Sequence, residues 1–168
     1  MPSLLFLSRG RLMEQQNISL KALIPVIREV LASGGEFSLK PRGISMLPYL
    51  REGRDTIILS PLKRPPKRGD VLLYVRDTGA PVLHRVVRIE RDGTLSMRGD
   101  NQYYIEKGIR LDQVVAIMER FFRHGRKKRT SSFSSRLYRA RRTVTYPVRR
   151  VYFAILHRLQ RLSKGGRS

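Results

Sequence analysis

The chain has 168 residues, no cysteine, three histidines and a formal charge of +22. That length fits one domain with appendages. The missing thiols exclude disulfides and thiolate catalysis, and histidines so far apart in sequence argue against a zinc site of closely spaced His ligands, so no metal or other cofactor is expected. The charge is uneven: sixteen of the 35 Lys/Arg and none of the 13 Asp/Glu fall in 120–168, which leaves the first 119 residues with a surplus of six. A polyanionic partner would therefore meet the tail.

The first seven residues are apolar over too short a run for a spanning helix, which needs roughly twenty, or for a signal h-region of about seven to fifteen. No other stretch is long enough to cross a bilayer, and the expected location is cytoplasmic, with peripheral attachment at the inner membrane surface as an option. Residues 1–34 form an N-terminal segment with one amphipathic helix. Asn17 or Ser19 can cap it, and Leu20, Leu23, Ile24, Ile27, Val30 and Leu31 recur at three- and four-residue steps. Gly34-Gly35 supplies the stop, and Pro25 argues for a late start or a kink. A helix-turn-helix would need more helices than this one.

From 35 to 119 the period is that of strands. Phe37 and Leu39 alternate with polar neighbours, and 56–59, 71–75, 82–89, 94–97 and 113–118 are further β-rich runs. Loops or turns at 61–67, 77–80 and 92–93 separate several of them, and the set predicts a small, mainly β domain. Past 120 the composition becomes that of a basic tail. Residues 126–129 with the following Thr and Ser read as an exposed connector, and 147–164 has the pattern of a basic amphipathic helix. Such a helix suits an anionic membrane surface, its own domain, or nonspecific contact with nucleic acid.

The stretch Arg42-Gly43-Ile44-Ser45-Met46-Leu47-Pro48 follows the first strand. Gly43 allows an unusual φ and Pro48 fixes one, so the turn can hold the Ser45 hydroxyl in one exposed position. An ordinary loop serine has the same pattern. A nucleophilic serine needs a base, and the base needs an orienting acceptor. His84 alternates onto the less apolar face of its strand and is the best base in the body of the chain; a plain surface histidine is the other reading. Asp100, at the end of the returning hairpin strand, can meet His84 across the hairpin. Glu106, in the loop that follows, is a second acid.

Taken in order, Gly43-Ile44-Ser45-Met46-Leu47-Pro48, Arg68-Gly69-Asp70-Val71, Leu83-His84-Arg85-Val86 and Gly99-Asp100-Asn101 resemble the signature of the type I signal peptidase and SOS-repressor serine-peptidase superfamily, over about residues 36–119. The resemblance implies a compact signal-peptidase-like β domain and a serine endopeptidase with Ser45 as acylated nucleophile. His84 stands in the block of the base, where bacterial members usually carry lysine and endoplasmic-reticulum-type members carry histidine. Asp100 matches a family acid and Glu106 falls near another.

An imidazole starts near pKa 6.5 and needs only orientation, whereas a lysine would need strong desolvation; Lys40 and Lys67 both lie in charge-rich contexts. The Ser45 N–H would help hold the oxyanion, while Gly43 leaves no hydroxyl where some relatives supply one. Residues Ser38, Leu39, Lys40, Pro41, Arg42, Gly43 and Met46 would meet an extended peptide substrate. The alternative is a peptidase fold without turnover, a binding module held by its basic tail.

Overall fold

The computed structural model describes residues 19–130. The helix α1, Leu20–Ala32, begins where Ser19 Oγ accepts the Ala22 N–H at 3.3 Å, so Ser19 is its cap. Pro25 lies inside α1 without delaying its start. The chain leaves the helix through Gly34 at φ +82°, with the Gly35 N–H donating to Val30 O at 3.0 Å. This is the left-handed exit that glycine makes without steric cost.

Eight strands form one antiparallel sheet: β1 Phe37–Leu39, β2 Asp55–Ser60, β3 Val71–Val75, β4 Pro81–Ile89, β5 Leu95–Arg98, β6 Glu106–Ile109, β7 Val114–Arg123 and β8 Arg126–Arg129. Their order is β1-β2-β7-β3-β4-β5-β6, with β8 paired to β7 beside that path. A 3₁₀ turn, Leu111–Gln113, precedes β7. Among the described residues, the mainly β architecture with one α-helix agrees with the sequence pattern.

Two strands depart from it. Glu106 sits on a strand, not in a loop, although Glu-Lys-Gly-Ile shows no apolar alternation. The basic run 126–129 is exposed as expected but is a strand and not a connector. His124 and Gly125, at φ 49° and 73°, form a two-residue turn with both residues left-handed. That turn matches the twist of the flanking strands and folds the basic run back onto β7. Backbone pairing, from Arg123↔Arg126 to Arg120↔Arg129, holds β8. The sheet therefore continues beyond residue 119. The helix expected over 147–164 lies outside the described residues.

The sheet has two apolar faces. On one, Val71, Leu73, Leu59 and Met118 pack with Ile27 and Leu31 of α1 and with Met46, Tyr49 and Leu50 of the segment after Ser45. On the other, Leu72, Tyr74 and Ile117 of the sheet centre meet Leu95, Met97 and Ile109 from β5 and β6. Val86 of β4 links the two sets.

Asp55 closes the segment that follows Ser45. Its carboxylate is buried, accepts the Arg51 N–H at 2.9 Å, and is bonded by Arg54 Nη2 at 2.7 Å and Arg123 Nε at 2.9 Å. Arg123 Nη2 also donates to Tyr49 O at 2.7 Å, tying this segment to β7. Asp55→Ala leaves two arginines and an amide without their acceptor, and chemical denaturation is expected to show a loss of about 2–3 kcal/mol, limited by the water that both arginines keep.

Candidate active site

Alternation along β4 sends neighbouring side chains to opposite faces. Opposite His84 on β3 is Leu72, and opposite Arg85 is Val71. His84 therefore joins the face of Leu72 and Tyr74, and Arg85 the face of Val71 and Leu73. The His84 ring is buried, at 1% exposure, rather than on the surface.

The expected contact between His84 and Asp100 is not formed. Asp100 is taken by Arg85, whose Nε and Nη2 donate to its two oxygens at 2.9 and 2.6 Å. A guanidinium fork fits a carboxylate at both oxygens, and burial of both groups strengthens the match. Arg85 Nη1 also donates to Gly69 O at 2.9 Å.

Glu106 reaches His84 through a residue that the sequence pattern did not single out. Tyr74 Oη donates to Glu106 Oε2 at 2.9 Å and lies 3.2 Å from His84 Nδ1. Arg76 Nε and Nη2 donate to the two Glu106 oxygens at 2.8 and 2.7 Å. These bonds hold the Glu106 carboxyl below the usual carboxylate range, against its partial burial. Burial, and then the hydrogen bond to Glu106, push the Tyr74 phenol upward, so it keeps its proton. A signal for Tyr74 was present: a tyrosine inside an apolar strand needs a partner for its hydroxyl.

These protonation states fix the imidazole tautomer. Ionised Glu106 only accepts, and the single Tyr74 proton goes to it, so the contact with His84 must be Nδ1–H donating to Tyr74 Oη. The lone pair is then on Nε2. No hydrogen bond engages Nε2 among the described residues. Burial drives the His84 pKa down to about 4; Glu106 opposes the shift and Arg76 adds to it. The ordinary value of 6.5 expected from the sequence does not apply.

Ser45 is half-buried in the turn after β1, and Gly43 has φ +79°, a conformation that side chains rarely adopt. Glu52 accepts the Gly43 N–H at 3.0 Å. Neither the Ser45 N–H nor its Oγ makes a hydrogen bond among the described residues, while its carbonyl accepts the Asn101 N–H at 2.7 Å. Arg85↔Arg98 is the last pair of the β4–β5 ladder, and Gly99 follows directly after it. Gly99 has no Cβ, and the place where one would stand is 2.7 Å from Ser45 O. The Ser45 main chain thus lies against the hairpin end, in space that a side chain at position 99 would fill.

A groove of about 380 Å³ opens beside Ser45. Its lining comes from residues 39–43, Ser45 and Met46, from Pro81, Val82 and Leu83 of β4, and from Leu20, Leu23, Leu50 and Ile57. Of the expected substrate-contacting residues only Ser38 is outside the lining; it is paired with Ile58 in the sheet. Among the described residues β1 pairs only with β2, and β4 pairs with β5 only from Arg85 onward. β1 and the start of β4 therefore each have one edge without a strand partner among these residues. Among these same residues no three His, Asp or Glu side chains are grouped to hold a metal ion, and no helix is long and apolar enough to cross a membrane.

No protein-family model, curated protein or solved structure matches the chain.

Holding His84 neutral makes stability depend on pH. Between 6.5 and about 4 the unfolded chain binds a proton at this residue and the folded chain does not, so stability falls as pH is lowered through that window. Urea unfolding of wild type and His84→Gln at about pH 7 and about pH 5 should show a wild-type loss, of order 2 kcal/mol, that the variant lacks. Equal losses in both proteins would rule out a histidine held neutral by burial.

Proposed function

We propose that the protein is a serine endopeptidase of signal-peptidase-like β fold, acting through an acyl-enzyme on Ser45 with His84 as general base. The observation that carries this reading is the approach of Ser45 to Gly99, directly after the last β4–β5 pair, with the His84 lone pair on the nitrogen that Tyr74 does not occupy. The ordered motifs and the open-edged groove support it. An extended peptide laid in the groove gains backbone hydrogen bonds from those edges of β1 and β4, while Leu39, Met46 and Leu83 offer apolar contacts to its side chains.

In this reading the peptide carbonyl comes to rest over Ser45. His84 Nε2 accepts the Oγ proton as Oγ forms the new C–O bond, and the carbonyl oxygen turns toward the unengaged Ser45 N–H. The proton held at Nε2 passes to the leaving amine as the C–N bond breaks. Water, deprotonated by the same nitrogen, then releases the acyl group and regenerates the serine. Tyr74 serves as positioning residue, and Glu106 beyond it offsets the charge that develops on the imidazole. Asp100 contributes through Arg85, which fixes the hairpin end.

Ser45 Oγ and His84 are not hydrogen-bonded to each other among the described residues, and this favours a second reading: a module that binds peptides in the same groove without turnover. Catalytic hydrogen bonds often tighten only when substrate excludes water. A fluorophosphonate probe separates the two. Labelling of wild type and none of Ser45→Ala is expected, with His84→Ala slowing acylation by several orders of magnitude. Absence of wild-type labelling, or labelling that survives Ser45→Ala, leaves only the binding module.

The acidic limb of the acylation rate should follow His84 near its pKa of about 4, so the rate is level across neutrality. A limb centred near 6.5 would mean that the ring is more solvated than its burial indicates. Tyr74→Phe removes the acceptor that fixes Nδ1–H, and acylation should fall by roughly two orders of magnitude with little change in peptide affinity. An unchanged rate would deny Tyr74 this positioning role.

A further inference from the structure

A second cavity, of about 680 Å³, lies between the 64–70 loop and the β7–β8 hairpin. Six of its ten lining residues are cations, Arg64, Lys67, Arg68, Arg120, Lys127 and Arg129, against the two carboxylates of Asp70 and Glu119. Part of this charge is balanced locally. Arg64 donates to both Asp70 oxygens at 2.7 and 3.0 Å, and Arg120 pairs with Glu36. Lys67 and Arg68 have no carboxylate partner among the described residues, while Lys127 shares Glu36 with Arg120, its charge helping to lower the Glu36 pKa. Arg120 also carries the one sealed side-chain nitrogen without a hydrogen-bond partner among those residues.

The cations converge because the backbone holds them there. Asp70 accepts the Lys67 N–H at 2.8 Å and closes the loop, and the Gly69 N–H donates to Val86 O while the Val86 N–H donates to Asp70 O, both at 2.8 Å, which docks the loop on β4. From the other side the His124-Gly125 turn brings Lys127 and Arg129 back along β7. Like charges gathered in a concavity repel one another, and a multivalent anion offsets that repulsion more effectively than dispersed monovalent ions. The lining includes no aromatic ring on which a nucleobase could stack, and Ile117 is its one aliphatic hydrophobe. Lysine ammoniums and arginine forks suit phosphate oxygens.

We propose that this cavity binds a compact, multiply charged phosphate, whether free in solution or carried as a lipid headgroup. The site is separate from Ser45 and His84, and it does not depend on the peptidase reading.

Titration of the isotope-labelled full chain with tripolyphosphate, near physiological salt, tests it. Saturable amide shifts are expected at 64–70 and 117–129, and the variant Lys67→Ala/Arg68→Ala/Lys127→Ala should weaken them by about tenfold or more. A control of equal charge loss, Arg28→Ala/Arg91→Ala/Lys107→Ala, should retain them. A parallel titration uses vesicles bearing a polyphosphorylated inositol headgroup. If these alone shift the cavity amides, and the first variant abolishes the effect, the carrier is a lipid. Shifts confined to 131–168 with both probes, or equal weakening in both variants, would overturn the proposal by reducing the effect to diffuse attraction.

Discussion

A single buried guanidinium sets the relative positions of the parts around Ser45. Arg85 holds Asp100 through a fork, reaches Gly69 O, and places its charge 4.5 Å from the centre of the Tyr49 ring. These contacts join β4 to the end of β5, to the loop before β3, and to the segment that follows Ser45. A buried ion pair adds little net stability because desolvation offsets the attraction, but its geometry is specific. Here that specificity brings the hairpin end and the serine turn together. The neighbouring residue, His84, points to the other face and is free of this structural duty.

The network on that other face orders its protons by environment. Arg76 keeps Glu106 ionised, Glu106 accepts the Tyr74 O–H as a hydrogen bond, and Tyr74 Oη in turn accepts one from the Nδ1–H of His84. A carboxylate placed directly on the imidazole would raise its basicity more strongly. With a neutral phenol interposed, orientation is retained while much of the charge effect is lost, and burial then dominates the histidine's pKa.

Much of this was legible in the sequence where periodicity or a turn signal was strong. The helix spacing, the apolar run of β3 and the Gly34-Gly35 stop each reflect a local preference that agrees with the fold. Gly43, read as a place for an unusual φ, has one. β6 and β8 were not legible because their pairing comes from neighbours rather than from their own side chains, and β8 depends on a two-residue turn written as His-Gly. The candidate residues were legible as types but not as pairs. A hairpin placed Asp100 near His84 in outline, yet Arg85 competes for that carboxylate and wins through two charged hydrogen bonds. Tyr74 was hidden among the apolar residues of its strand, where its ring packs as expected and only its hydroxyl departs from the pattern.

At Gly99 the molecule uses vacancy as a spacer. The Ser45 carbonyl sits 2.7 Å from where a methyl group would be, so two main chains meet with no side chain between them. The Gln102 side chain closes the same space from another direction, its amide oxygen 2.8 Å from that position. The separation of the two main chains is set by hard-sphere contact, which makes the seat of the serine stiff along that direction. Tolerance is correspondingly one-sided: even alanine at position 99 would act as a wedge, driving the turn from the hairpin without altering the charge or polarity of any other group.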